Sequence, residues 1–194
     1  MIGREQITGA ILAGGRGRRL AGVDKGLTPF RGRPLIRHVI DIIQPQVDSL
    51  ILSANRHGAQ YAALGFPVVA DHETGFAGPL AGIARVLEHV VTPYLLVVPC
   101  DMPFLPPHLA ARLAQALTVS DAQAVLARGA GRVQPLCVLL ERGVEGNLRN
   151  FRESGEAKVA LWLRGLRHVV VDFPERPAAF HNINTPADLL AETA

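Results

Sequence analysis

The chain has 194 residues, of which 48% are hydrophobic and 19% charged, and a formal net charge of +3. That length suits one domain whose core needs neither disulfides nor structural metal, and Cys100 and Cys137 alone make no disulfide scaffold and no CxxC zinc spacing. Charged and turn-forming residues interrupt every apolar run, which excludes a membrane-spanning helix, while scattered Lys and Arg with few aromatics exclude a nucleic-acid platform and leave a phosphorylated ligand open.

Met1-Ile2-Gly3-Arg4-Glu5-Gln6 has none of the regions of a signal peptide, so a cytoplasmic protein is expected. Residues 8–13 then read as a first strand, and 34–43 as a helix with Leu35, Val39, Ile42 and Ile43 on one face and Pro34 in its first turn. Strands follow at 50–54 and 67–70, and a second helix at 79–89 carries Leu80, Ile83, Ala84 and Leu87. A strand at 94–98 leads to a third helix at 106–117 with Leu109, Leu113, Ala116 and Leu117, and strands at 124–127, 136–140 and 168–172 complete the series. Several of these strands are wholly apolar, as parallel strands buried on both faces are. The alternation predicts an α/β fold: a single-domain, mostly parallel Rossmann-like sheet with helices on both faces. Ligands in such a sheet sit outside the carboxyl ends of the strands, so the chemistry belongs there.

The first such end is the segment 12–25. Leu12-Ala13-Gly14-Gly15-Arg16-Gly17 lets the backbone come close to a ligand and turn its N–H groups toward one point, which suits an anion. Arg16, Arg18, Arg19 and Lys25 supply the cations that a triphosphate demands. No Gly-Lys-Ser/Thr ends the loop and its glycine spacing is not G-x-G-x-x-G, so neither a Walker loop nor a dinucleotide fingerprint is present.

The strand at 94–98 ends in Pro99-Cys100-Asp101-Met102-Pro103, which sets Asp101 where a buried strand reaches its ligand. One carboxylate opposite a cationic loop is enough for magnesium, which is completed by phosphates and water; an aspartate opening a turn before Pro103 is the alternative reading. Ser53-Ala54-Asn55-Arg56-His57 and Asp71 end the second and third strands on the same sheet edge. A carboxylate can accept both the N1–H and the N2 amino group of guanine, a donor pair that adenine lacks, so Asp71 is a candidate for reading the base. His57 and His72 receive no catalytic role, because an anionic phosphate needs no general base. Gly75-Phe76-Ala77-Gly78-Pro79-Leu80-Ala81-Gly82 enters a helix closely enough for a ligand to approach its N-terminus. Asn182 and Asn184 alternate along an extended stretch, so both amides point one way.

Leu12-Ala13-Gly14-Gly15, Arg19 and Asp24-Lys25-Gly26 together resemble the signature of the molybdenum cofactor guanylyltransferases, within the nucleotidyltransferase superfamily. Pro99-Cys100-Asp101-Met102-Pro103, Gly78-Pro79-Leu80-Ala81-Gly82, Gln134-Pro135-Leu136 and Asn182-Ile183-Asn184-Thr185-Pro186 match in order, so the resemblance covers nearly the whole chain. Related sugar-nucleotide and cytidylyl transferases usually carry Leu-Ala-Ala-Gly, so Gly14 favours the guanylyl branch. Two departures stand out: Gly17-Arg18-Arg19-Leu20-Ala21 replaces the frequent Ser-x-Arg-Met-Gly, and Ser53 stands where asparagine is often found.

The resemblance implies a nucleotide-diphospho-sugar transferase fold, with a nucleotide half at about 1–105 and an acceptor half at about 106–194. It implies transfer of GMP from GTP to molybdenum-molybdopterin, with Mg2+ as cofactor and Mn2+ as its substitute. Arg19, Lys25 and Asp101 would then be catalytic, with Asp101 as the metal ligand. Leu12, Ala13, Gly14, Gly15, Lys25, Ser53, Asp71 and Asp101 would bind the nucleotide, and Asn55, Gly78, Pro79, Leu80, Gly82, Gln134, Asn182 and Asn184 the acceptor. Cofactor-inserting chaperones or molybdoenzymes would be the downstream partners. The loop chemistry alone permits a cytidylyl or other nucleotidyltransferase equally well, and a non-catalytic GTP-binding module as a third reading.

Overall fold

Apolar residues in an extended run can serve two cores at once, because successive side chains leave a strand on opposite faces. Strand β1 (Ile7–Leu12) does this: Ile7 and Ile11 enter one core and Ala10 the other. In β6 (Tyr94–Pro99), Leu96 and Val98 face the first core while Leu95 and Val97 face the second. The computed structural model describes residues 1–14, 24–71, 78–129, 131–174, 177–184 and 188.

Between β1 and β6 lie a short hairpin of β2 (Pro29–Phe30) and β3 (Arg33–Pro34), helix α1 (Leu35–Ile43), β4 (Ser49–Ser53), α2 (Gly58–Ala62), β5 (Val68–Val69) and α3 (Pro79–Leu87). After β6 come α4 (Leu109–Thr118), β7 (Ala124–Gly129), β8 (Arg132–Glu141), α5 (Glu145–Glu153), α6 (Val159–Arg164) and β9 (His168–Asp172). Seven strands form one sheet in the order β5-β4-β1-β6-β8-β7-β9. β1 pairs in parallel with β4 and β6, β4 with β5, and β7 with β9, whereas β8 is antiparallel to both of its neighbours.

Helices α1 and α4 cover one face and α3, α5 and α6 the other, so the sheet is mostly parallel and flanked on both sides as the alternation requires. α1 buries Leu35, Ile36, Val39, Ile40 and Ile43 along one stripe, and on the far face Trp162 of α6 is the largest fully buried side chain. No helix among the described residues is long and apolar enough to cross a membrane.

Three sequence expectations need correction. The run expected at 136–140 extends over Arg132–Glu141 and runs against the sheet, because Gly129 pairs directly with Arg132 in a tight hairpin and β8 must turn back. The first helix starts at Leu35 rather than Pro34, which instead closes the β2–β3 hairpin opposite Pro29. The third starts at Leu109 rather than 106, since Leu109 N–H reaches only the Pro106 carbonyl across a turn.

Candidate functional site

The parallel strands β5, β4, β1 and β6 end side by side on one edge of the sheet, the edge at which an open α/β sheet takes its ligands. Beyond β1, Ala13 N–H donates to the Ser53 carbonyl at 2.8 Å, and Cys100 N–H donates to the Leu12 carbonyl at 3.1 Å. The start of the glycine-rich loop is thereby fastened to both neighbouring strand ends. Gly15, Arg16, Gly17, Arg18, Arg19, Leu20 and Ala21 lie outside the described residues, as do His72, Gly75, Phe76, Ala77, Thr185 and Pro186.

Asp24-Lys25-Gly26 is built around a buried carboxylate. Asp24 Oδ1 accepts from the Tyr61 hydroxyl at 2.5 Å and from Gly26 N–H at 3.2 Å, and the Asp24 carbonyl accepts from Leu27 N–H and the Thr28 hydroxyl. Burial first, then the neighbouring Cys100 and Asp24, push the Tyr61 phenol far above its ordinary range, so it stays a protonated donor. Gly26 is required at its place, since a methyl group there would come within 2.5 Å of the Tyr61 oxygen. Asp24 and Gly26 are thus anchors, and Lys25 between them is the residue that projects.

The Lys25 ammonium donates to Asp101 Oδ2, in a pair whose side chains are 19% and 15% exposed. It also donates to Asn184 Oδ1 at 2.5 Å. Among the described residues Asp101 Oδ1, which is buried, has no hydrogen-bond partner, and the Asp101 carbonyl accepts from Ile183 N–H at 2.9 Å. Ile183 is buried against Phe30 and Leu35, so the β2–β3 hairpin and α1 hold the Asn182–Asn184 stretch over the site. Asn182 Oδ1 is a second buried oxygen without a partner.

At the ends of β4 and β5, Asn55 Nδ2 donates to Asp71 Oδ2 at 2.7 Å while Asp71 N–H donates to Asn55 Oδ1 at 2.8 Å. Asp71 Oδ1 is left buried, with no partner among the described residues. A methyl group on Gly14 would touch Asn55 Nδ2 at 3.4 Å, so Gly14 at the start of the glycine loop adjoins the Asn55–Asp71 pair.

Other sequence candidates take different places. Ser53 is buried, and a methyl group on Gly82 of α3 would lie 2.7 Å from its hydroxyl oxygen, so this side chain faces the helix. Leu80 is buried in the core that holds Trp162, which leaves Gly78 and Pro79 as the exposed part of that turn. Gly78 has φ +81, a conformation suited to glycine. The Gln134 amide lies over its own hairpin, donating to the Gly129 and Arg132 carbonyls at 3.5 Å. Sequence reasoning gave Asp24 no role in the site and missed Tyr61, a tyrosine in a short helix; a buried phenol has no pattern of its own in a sequence.

Among the described residues no group of three or more His, Cys, Asp and Glu could cage a metal. The chemistry of Asp101 still fits one: a hard carboxylate oxygen, buried and unpartnered, at the open end of a parallel strand. Such an oxygen matches a divalent cation whose other ligands come from phosphates and water.

A family model described as the MobA-like NTP transferase domain matches residues 9–170. The chain is 42% identical to a molybdenum cofactor guanylyltransferase of Shewanella halifaxensis over 181 residues, covering 93% of this chain and 90% of the relative. With its counterpart from Shewanella sp. strain MR-4 it is 44% identical, again over 93% of this chain and 92% of the other. Among solved structures it is similar to molybdopterin-guanine dinucleotide biosynthesis protein A from Archaeoglobus fulgidus, with a TM-score of 0.78, 25% identity and 95% of each chain covered.

Proposed function

The chain belongs to the molybdenum cofactor guanylyltransferase family of MobA-like NTP transferases, and on that footing we propose that it transfers GMP from GTP to the terminal phosphate of molybdenum-molybdopterin, releasing pyrophosphate. One observation carries the reading: Lys25 meets Asp101 just past the end of β6, where Cys100 N–H is bonded to the Leu12 carbonyl at the end of β1, and Asp101 Oδ1 has no partner among the described residues. A cation and a free carboxylate oxygen side by side are what a nucleoside triphosphate with its metal needs.

In this reading the backbone of the glycine loop and Lys25 bind the phosphates, and Arg19 adds charge from the same loop. Magnesium, with manganese as its substitute, would be held by Asp101 together with the phosphates, and would neutralise charge on the transferring group. Lys25 exchanges its partners Asp101 and Asn184 for phosphate oxygens and stabilises the negative charge that gathers as pyrophosphate leaves. The acceptor phosphate is already anionic, so the α-phosphorus can be attacked in line without a general base. Asn182 and Asn184, together with the exposed Gly78–Pro79 turn and Gln134, line the acceptor side and orient that phosphate. A cytoplasmic setting goes with a reaction that consumes GTP.

The deciding experiment supplies purified protein with GTP, magnesium and molybdenum-loaded molybdopterin, and follows pyrophosphate release and the dinucleotide product. Turnover with GTP in preference to CTP and UTP is expected. A preference for CTP would assign a cytidylyltransferase, and nucleotide binding without pyrophosphate release would assign an accessory binding module.

A further inference from the structure

We infer that Asn55 is a positioning residue for base selection: its carboxamide fixes the rotamer of Asp71 and so aims one carboxylate oxygen at the guanine edge. The inference rests on the guanylyltransferase reading and deepens it, and it moves Asn55 from the acceptor side to the nucleotide side of the site.

The geometry is a closed two-bond ring. Asn55 Nδ2 donates to Asp71 Oδ2 at 2.7 Å, and Asp71 N–H donates to Asn55 Oδ1 at 2.8 Å. One amide thus binds both the side chain and the backbone of the same aspartate, leaving that carboxylate no freedom about its χ angles. Because Nδ2 is a donor, Oδ2 is consumed; Oδ1 keeps its full acceptor capacity and is buried without a partner. An unpaired buried carboxylate oxygen is costly in the empty protein and is repaid by a ligand that brings donors. The N1–H and N2 amino group of guanine are adjacent donors, whereas cytosine offers one amino group followed along the same edge by two acceptors, N3 and O2.

Among the described residues the other buried oxygens without partners, Asp101 Oδ1 and Asn182 Oδ1, belong to the Lys25 side of the site, which leaves Asp71 Oδ1 as the one beside Asn55. Ser53, which occupies the strand end two residues before Asn55, is buried against Gly82 and does not reach across. Gly14 lies beside Asn55, close enough that a methyl there would touch Nδ2, the atom that donates to Asp71, at 3.4 Å. Asn55 is therefore held between the loop that takes phosphates and the aspartate that takes the base, and its own hydrogen bonds go to the aspartate.

The test compares GTP with inosine triphosphate, which lacks only the 2-amino group, in the unaltered enzyme and in Asn55→Ala, Asn55→Asp and Asp71→Asn. The unaltered enzyme should favour GTP. Asn55→Ala should raise KM for GTP on the order of tenfold with kcat within about twofold, and should shrink the GTP-to-inosine preference by a similar factor while KM for the acceptor stays put. Asn55→Asp keeps the size but replaces the donor with a carboxylate facing Asp71, so it should shrink the preference at least as far; a thermal melt of each variant confirms folding, and this second variant stands if the alanine fails to fold. An unchanged preference in both Asn55 variants, or a rise in acceptor KM instead, would overturn the inference alone. If Asp71→Asn also leaves the preference intact, base reading lies elsewhere and the inference falls with it, though GTP turnover persists. A preference for CTP by the unaltered enzyme would overturn the functional reading itself.

Discussion

Lys25 and Asp101 come from loops 76 residues apart and form an ion pair in which the lysine takes one carboxylate oxygen and leaves the other unbound. Asn184 shares the same ammonium, so Lys25 stays anchored if the aspartate is removed. Asp101→Ala should therefore keep the fold, with a melting temperature within about 4 °C of the parent, while transfer drops on the order of a hundredfold or more. Pyrophosphate release at ordinary magnesium, together with a thermal scan, checks both halves; near-normal turnover sinks the metal assignment. Lys25→Ala should act differently, raising KM for GTP more than it lowers kcat.

Tyr61→Phe removes the hydroxyl that donates to Asp24 and leaves a buried carboxylate oxygen short of a partner. A loss of about 1–3 kcal/mol in a urea titration is expected. Since Asp24 holds the turn that carries Lys25, KM for GTP should rise in parallel. Asp24→Asn in the Tyr61→Phe background should cost less than Asp24→Asn alone, the signature of a coupled pair.

Gly82→Ala drives a methyl group to within 2.7 Å of the Ser53 hydroxyl oxygen, and the next contact, with Leu12, is at 3.5 Å. Overpacking of about 1–3 kcal/mol should follow. Ser53→Ala removes the offending oxygen and leaves its Cβ at 3.7 Å, so the double variant should recover most of the loss. Equal destabilisation with and without Ser53→Ala would mean that Gly82 is needed for another reason.

Burial, with Asp101 contributing, pushes the thiols of Cys100 and Cys137 above their ordinary value of 9.0. A raised folded value means that the folded state holds the proton more tightly, so this contribution is complete below 9.0 and is lost as pH climbs past it. Tyr61 adds to the same loss above its ordinary value of 10.0. Urea midpoints should be flat at neutral pH and decline above 9.0, less steeply in Cys100→Ala/Cys137→Ala. Ellman's reagent should leave both thiols unmodified in the native protein at about pH 8 and react with both once it is unfolded.

The seven strands of the large sheet were legible, β8 only in its buried half, because each contains an apolar run, and α1, α3 and α4 because their apolar stripes repeat at helical spacing. What escaped was structure with little hydrophobic pattern. α5 buries only Leu148, and α6 is six residues long, too short for a periodic signal. The β2–β3 hairpin depends on Arg31 and Gly32 with φ 48 and 77, a turn signalled by one glycine. The direction of β8 is invisible in Leu136–Leu140 itself, because an apolar run reads the same both ways; the glycines at 129 and 131 were the available hint. In the site, Lys25 and Asp101 could be named from chemistry at strand ends, but the grip of Asn55 on Asp71 is a contact between two loops that no spacing encodes.

Strand β8 is ten residues long, and its ladder with β6 spans only Val138 to Glu141, so Arg132 to Gln134 reach past β6 while still paired to β7. A strand that enters the sheet from the ligand side can grow, shrink or change sequence at its beginning without moving the register of its buried end. The molecule thus has a stretch at the ligand edge of the sheet that tolerates change while the core that holds Lys25 and Asp101 remains under constant constraint.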